Sequence, residues 1–401
     1  MQHASPFNAS ITSAITSPEI LVITDKFLPQ ESGISEYIYN RCLEDYENIL
    51  LLAPECPNDK EFDKKQNFII YRWRVNQYLL RGILGELFQK KLAQIYTFFW
   101  AIRLYFRYRY SYIEWSLASH VLGILLLSYI LPIRFFLYLN GNHILFSIRN
   151  PLRSKILKLT LKRASGVVCN SEFAKDLLER NFKIQIPVHI IQPMMRAEKF
   201  DITPLPEYFE QQRLSLRQRH NISNTSVLIL SVGRLVKNKG NHRVIEILTL
   251  LLSKGLDVHY IMCGRGEAQS QLKSLVGRLK LQDRVHFAGY VLDNELAGYY
   301  AASDIFASLD LFSVKAGNVD RFGISCLEAA FFGKPIIASH FGGITDIVRN
   351  QENGILVDPN SGYEVFQAFS LLCEDINFRS CLGAKSREFI HKKSIYRVLY
   401  Q

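Results

Sequence analysis

Short uninterrupted apolar runs alternate along this chain with longer stretches in which apolar positions recur every three or four residues. The runs at 20–24, 48–53, 68–71, 135–139, 166–171 and 189–191 predict strands in the first half. Those at 227–232, 258–263, 284–291, 305–308, 336–338 and 354–358 predict strands in the second. Helical periods fall between them at 34–43, 173–180, 242–254 and 295–302, with Ser171 placed to cap the second of these. Strand runs that are apolar throughout, regularly separated by helices, predict an α/β fold whose parallel sheets are buried on both faces. The longest apolar run, Val121 to Ile133, spans 13 residues and predicts a core helix leading into a strand, being too short to cross a bilayer.

The series breaks once. Residues from Asp201 to Ser223 are polar and carry no strand signal, and 401 residues suffice for two full cores. The predicted organisation is a first Rossmann-like domain at 1–203, a connection at 204–222, a second such domain at 223–385 and a terminal basic helix at 386–401. Met1 to Ser17 is polar and lacks the basic and apolar regions of a signal peptide. Seven cysteines are scattered without C-x-x-C or zinc spacing. Together these features predict a cytoplasmic protein with inert thiols and no metal centre.

The net charge of +11 is concentrated. Between Arg72 and Tyr110, eight basic residues, among them Arg72, Arg74, Arg103, Arg107 and Arg109, face only Glu86 and are interleaved with aromatics. Such a segment suits an anionic membrane surface or single-stranded nucleic acid. It equally suits a solvated helix whose rings pack inward.

Candidate chemistry collects after the predicted strands, where open α/β sheets bind ligands. The loop ending in Gly33 precedes a helix, an arrangement that receives anions. Asn140 and His143 follow a strand in the first half, with His143 a possible base or an ordinary loop histidine. In the second half, Gly233, Arg234 and Lys239 stand before a helix, where an Arg fork and a Lys point charge suit a diphosphate. Gly264-x-Gly266 is half a dinucleotide fingerprint. The segment from Asp320 to Ser339 carries two carboxylates, Asp320 and Glu328, inside an apolar turn-helix-strand pattern, where acids require partners.

One order of motifs gathers these features: Gly233-Arg234, Lys239-Gly240, Gly264-x-Gly266, Phe287-x-Gly289, Ala302-Ser-Asp304, Phe322-Gly323, Glu328-Ala329, Gly333-x-Pro335, Gly342-Gly343 and Asn353-Gly354. As an ordered set it resembles the retaining GT-B glycosyltransferases of the glycosyltransferase-4 family across the second half. The first half is more loosely similar through Phe27-Leu-Pro29, Gly33 and Asn140-Gly141. The resemblance implies two Rossmann-like domains facing across a cleft, with a UDP- or GDP-sugar held mainly by the second domain. A glycan or lipid-linked acceptor would be held by the first, at the side of Asn140 and His143. Arg234 and Lys239 match the diphosphate-binding pair, so no metal or other cofactor is implied. Glu328 would meet the ribose and Asp320 the donor sugar. Gly289, Tyr290 and Val291 would line the base pocket, while Phe322, Gly323 and Ile324 would lie along the diphosphate and sugar. Gly33, Gly233 and Gly264 would let backbone approach the donor.

Three positions depart from the family pattern. Asp320 stands for a Glu, Ser32-Gly33 for Gly-Gly, and Asn140 for the His of a His-Gly pair. The implied activity is transfer of a hexose-type sugar with retention, at the cytoplasmic face of a membrane, and no nucleic acid partner is expected. The alternative is a relative that binds nucleotide sugars as a sensor or assembly partner.

Overall fold

A computed structural model of the chain describes residues 18–30, 32–74, 83–117, 120–195, 197–200, 206–311, 322–389 and 396–400. The first sheet contains Ile20–Ile23 (β1), Ile49–Pro54 (β2), Ile69–Trp73 (β3), Tyr112–Trp115 (β4), Arg134–Leu139 (β5), Gly166–Cys169 (β6) and Val188–Ile190 (β7). Its order is β3-β2-β1-β4-β5-β6-β7. The second contains Val227–Val232 (β8), Val258–Cys263 (β9), Val285–Gly289 (β10), Ile305–Ser308 (β11), Ile336–Ser339 (β12) and Gly354–Val357 (β13), in the order β10-β9-β8-β11-β12-β13. Pairings are parallel from β1 to β2 and β4, and from β8 to β9 and β11. Both sheets therefore follow the doubly wound order, and each reverses direction between its first and fourth strands. Two Rossmann-like domains are the architecture expected from the sequence.

The chain packs as two compact units. One comprises residues up to Tyr138 with 155–167 and 185–187, and the other comprises 139–154, 168–184 and 188–401.

In the second sheet, alternate residues of each strand feed opposite cores, as the pleat requires. Leu228 and Leu230 of β8 join Ile261 of β9 in a cluster with the helices Asp293–Ala302 and Ile324–Phe331. Ile229, Tyr260 and Met262 join the opposite cluster, with the helices Asn241–Ser253 and Gly362–Glu374.

Strand β4 was not evident in the sequence, because its pattern Tyr-Ile-Glu-Trp carries a charge. The side chain of Glu114 is fully buried and paired with Arg41 at 2.6 Å. It also accepts a 2.5 Å hydrogen bond from the Tyr138 hydroxyl. The polar stretch read as a bare connection contains a helix, Pro206–Arg219. Its Arg217 is buried and donates to the carbonyls of Ala302, Ser223 and Ser226 and to Asp304. Near the end of the chain a helix runs Ile376–Phe389 and a 3-10 turn covers Tyr396–Tyr400; the rest of the terminal helix expected at 386–401 lies outside the described residues.

The basic aromatic segment divides. Arg72 is not at the surface: its guanidinium bonds Asp63 at 2.7 Å and the carbonyls of Leu28 and Pro54. Tyr71 packs inward on Trp100 and Tyr108. Along the helix Ile83–Tyr108, Ile95, Phe99 and Phe106 stay exposed beside Arg103 and Arg107. The adjacent helix Val121–Ile130 exposes Leu122, Leu126, Tyr129 and Ile130. Among the described residues no helix is long and apolar enough to cross a membrane.

Candidate functional site

Strand β8 ends at Val232, and the chain leaves it through Gly233, whose N–H donates to the Cys263 carbonyl at 2.9 Å. Gly264 follows β9 with φ +143°, and its N–H donates to the Gly289 carbonyl at 2.6 Å. A Cβ on Gly264 would stand 1.9 Å from the Gly233 carbonyl oxygen, so only glycine fits. The loops after β8, β9 and β10 are thereby locked backbone to backbone at the C-terminal edge of the sheet. The strand order reverses between β8 and β11, and there Gly240 meets Leu309 with the same closeness, 1.9 Å from a would-be Cβ to the carbonyl oxygen. This is where an open α/β sheet offers a ligand crevice.

The two cations of this edge differ. Arg234 is exposed, and among the described residues no ion pair engages it. Lys239 lies under the Gly233 turn, with its Nζ 3.1 Å from Asp310 Oδ2. The same oxygen accepts from Ser308 Oγ at 3.2 Å. Asp310 went unnoticed in the sequence. The signal was present, since an acid two residues beyond β11 obeys the rule that singled out Asn140.

Glu328 is buried in the helix Ile324–Phe331, at 3% exposure. Its Oε1 accepts from Lys199 Nζ at 2.7 Å, and its Oε2 accepts from the Tyr300 hydroxyl at 2.6 Å. Burial and the adjacent Glu328 carboxylate hold the Tyr300 phenol well above its usual range, so it stays a donor. Lys199 sits in a 3-10 turn, Ala197–Phe200, and also lies 3.4 Å from Asp293 Oδ1. Phe200 anchors that turn among Tyr300, Phe331 and Phe332. No sequence period marks Lys199; only the tertiary fold brings it to Glu328.

Gly323 adopts φ +79° and introduces the helix whose first turn begins at Ile324, while Phe322 is buried behind it. The N–H groups of such a first turn point out of the helix end. Beyond Gly289, Tyr290 is half exposed with the Arg265 guanidinium 6.0 Å from its ring centroid, and Val291 packs against the core. Asp320, the other acid singled out in the sequence, lies outside the described residues.

In the first half, Gly33 is the exposed first residue of the helix Gly33–Glu44, capped by Ser32, whose hydroxyl accepts from the Ser35 N–H at 3.1 Å. Asn140 caps the helix Gly141–Ile148 by accepting from the His143 N–H at 3.1 Å. His143 Nδ1 faces back to the Asn140 N–H at 3.5 Å, which completes a capping box. Among the described residues no group of three or more His, Cys, Asp or Glu side chains is arranged to hold a metal ion.

The two sheets define a two-domain α/β protein with a crevice at the edge of the second, and comparison with known proteins narrows the class. Residues 212–389 match the family described as glycosyl transferases group 1. The chain is 25% identical to an uncharacterised glycosyltransferase of Methanocaldococcus jannaschii over 96% of its own length and 98% of the relative's. It is 28% identical to the GDP-mannose-dependent alpha-(1-6)-phosphatidylinositol monomannoside mannosyltransferase of Mycobacterium tuberculosis, over 60% of each chain. Among solved structures, Anabaena HepE in complex with UDP superposes with a TM-score of 0.72 at 18% identity, covering 95% of this chain and 97% of that one. The fold is GT-B, and Arg234, Lys239 and Glu328 lie within the residues that match the glycosyl transferases group 1 family.

Proposed function

We propose that this protein is a retaining glycosyltransferase that moves a hexose-type sugar from a UDP- or GDP-sugar to a hydroxyl of a glycan or lipid-linked acceptor. The observation that carries this reading is the glycine-locked edge after β8, β9 and β10, which presents an exposed Arg234 and a positioned Lys239 beside two helix N-termini. Such an edge suits a diphosphate: N–H groups and cations meet the charge that develops as the nucleotide leaves. Arg234 offers a fork to two phosphate oxygens, and Lys239 adds a point charge held in place by Asp310. These two cations supply the charge that a metal would otherwise bring, so the reading is metal-independent. Tyr290 offers a ring face to the base, and Glu328 acceptor oxygens to the ribose. The C–O bond from sugar to phosphate breaks and the bond to the acceptor oxygen forms on the same face. The leaving phosphate takes the acceptor proton. Asn140, which orders its own helix start, then contributes a hydrogen-bonding group and no proton transfer.

Relatives support both halves of the reaction: a solved neighbour holds UDP, and one curated relative is named for a phosphatidylinositol acceptor. The exposed Phe99 and Phe106 beside Arg103 and Arg107 suit the same setting, a protein resting on an anionic membrane during glycolipid or surface polysaccharide synthesis. Asn140 in place of histidine favours a second reading, a nucleotide-sugar-binding relative without turnover.

The test is a thermal-shift screen with UDP, GDP, ADP and their common sugars, repeated on Arg234→Ala. A ligand with a micromolar dissociation constant, present at about 1 mM, stabilises by about 4 kcal/mol. A shift for one base, lost in Arg234→Ala, is the expected result, and sugar transfer to lipid-linked acceptors then separates the two readings. No shift with any nucleotide overturns both.

A further inference from the structure

Lys199 lies outside every motif that the family resemblance draws on, yet its ammonium makes a 2.7 Å contact with Glu328. Its side chain is 14% exposed and that of Glu328 is 4% exposed. A carboxyl group this buried requires a charge or strong donors beside it. Among the described residues these groups face it or its partner: Lys199 and Tyr300 by direct hydrogen bonds, Asp293 across Lys199 at 3.4 Å, and the buried thiol of Cys326 on the same helix. Of these only Lys199 is a cation. Lys199 and Tyr300 each engage a different oxygen of Glu328, which fixes the plane of the carboxylate and leaves further acceptor capacity on both oxygens. A vicinal diol, with two hydroxyl donors side by side, matches what is left. Lys199 also reaches Asp293, the first residue of the helix that follows Tyr290 and Val291. One side chain thus ties the acid to the loop on the base side.

We propose that Lys199 is a positioning residue for the nucleotide ribose: its bond to Oε1, opposite that of Tyr300 to Oε2, turns Glu328 so that its oxygens accept from the ribose diol, and so sets the preference for ribose over deoxyribose. This rests on the assignment of Glu328 to the ribose. With the Lys199 ammonium removed, the carboxylate is held through one oxygen alone and the diol is no longer favoured. A purely structural lysine would lower stability without moving the preference between the two sugars.

The experiment is isothermal titration of the full chain with UDP or GDP, whichever binds, against the 2′,3′-dideoxy form of the same nucleotide. The unaltered protein is expected to prefer the ribose form by about tenfold or more. In Lys199→Met the preference falls towards one, and Lys199→Arg restores it. Lys199→Gln, which keeps a hydrogen bond without the charge, retains part of the preference and serves if Lys199→Met does not fold. An unaltered protein that binds nucleotide without preferring ribose refutes the Glu328 assignment and the site reading with it. A preference in the unaltered protein that persists unchanged in folded Lys199→Met or Lys199→Gln refutes the role of Lys199 alone.

Discussion

Arg41 and Glu114 form an ion pair with side chains 1% and 0% exposed, 2.6 Å apart, between the helix Gly33–Glu44 and the central strand β4. Taking two charges out of water is costly, and the geometry offsets that cost through bonds from both Arg41 Nε and Nη2. Arg41→Met leaves the buried Glu114 without its cationic partner and is expected to destabilise by about 3–5 kcal/mol. Adding Glu114→Gln should recover part of that loss. Urea unfolding of the two single variants and the double variant measures the coupling, and additive losses would show that the pair contributes no coupling energy.

Gly264→Ala drives a methyl into the Gly233 carbonyl and tests the locked loops. The expected cost is about 3 kcal/mol or more, because backbone, unlike a flexible side chain, cannot give way cheaply. Gly255, where a Cβ would meet nothing within 4 Å, is the control, though its φ of +85° carries its own strain. Nucleotide binding should vanish in Gly264→Ala and persist in Gly255→Ala; equal binding in both would show that the lock is dispensable.

At the opposite, N-terminal ends of β9 and β10, three histidines border a cavity of about 660 Å³. Arg284 donates to His259 Nε2 at 3.0 Å, so the His259 proton sits on Nδ1 and faces His286 Nε2 at 3.2 Å. Burial, with His220 and His259 as neighbours, lowers the pKa of His286 to about 4. A histidine pKa depressed in the folded state means that protonation favours unfolding. Its stabilising contribution is complete above about pH 6.5 and is lost as the pH falls towards about 4. His286→Phe should flatten the pH dependence of stability in that window by on the order of 1 kcal/mol, after allowance for solvent screening. Thermal melts at stepped pH check this, and parallel curves for the two proteins would contradict it.

Reversing Arg103, Arg107 and Arg109 to Glu should weaken binding to anionic vesicles by more than about 100-fold, since each basic residue lost contributes about 1 kcal/mol and each glutamate gained adds repulsion. Vesicle co-sedimentation reads this directly. Replacing the exposed Phe99 and Phe106 by Ser should weaken binding further at high salt, where charge is screened. Unchanged sedimentation in both sets would remove the membrane from the reading.

Strands β8, β9 and β11 have the bounds that their apolar runs suggest, because a strand buried on both faces leaves no polar interruption. Strand β4 escaped notice for the converse reason: Glu114 is acceptable there only because Arg41, distant in sequence, arrives to pair with it. The helix Pro206–Arg219 was hidden in the same way, its buried Arg217 reading as polar linker until its carbonyl partners are in place. At the site, Gly233, Lys239, Gly264 and Glu328 announced themselves through local spacing. Lys199 meets Glu328 from 129 residues away, which no local pattern encodes, whereas Asp310 stands two residues beyond β11, where the rule that singled out Asn140 would have found it.

The backbone lock among Gly233, Gly264 and Gly289 bears on how such a protein can diversify. Three loops that share carbonyl–amide contacts cannot lengthen or shorten one at a time, because an inserted residue in one unseats the other two. On the proposed reading, changes in nucleotide choice are thereby channelled into side chains beside the lock, Tyr290 and Val291 foremost. Length variation is left to segments such as the turn at Gly255, where a Cβ would find open space. A library aimed at a new donor should hold the loop lengths fixed and vary those two positions.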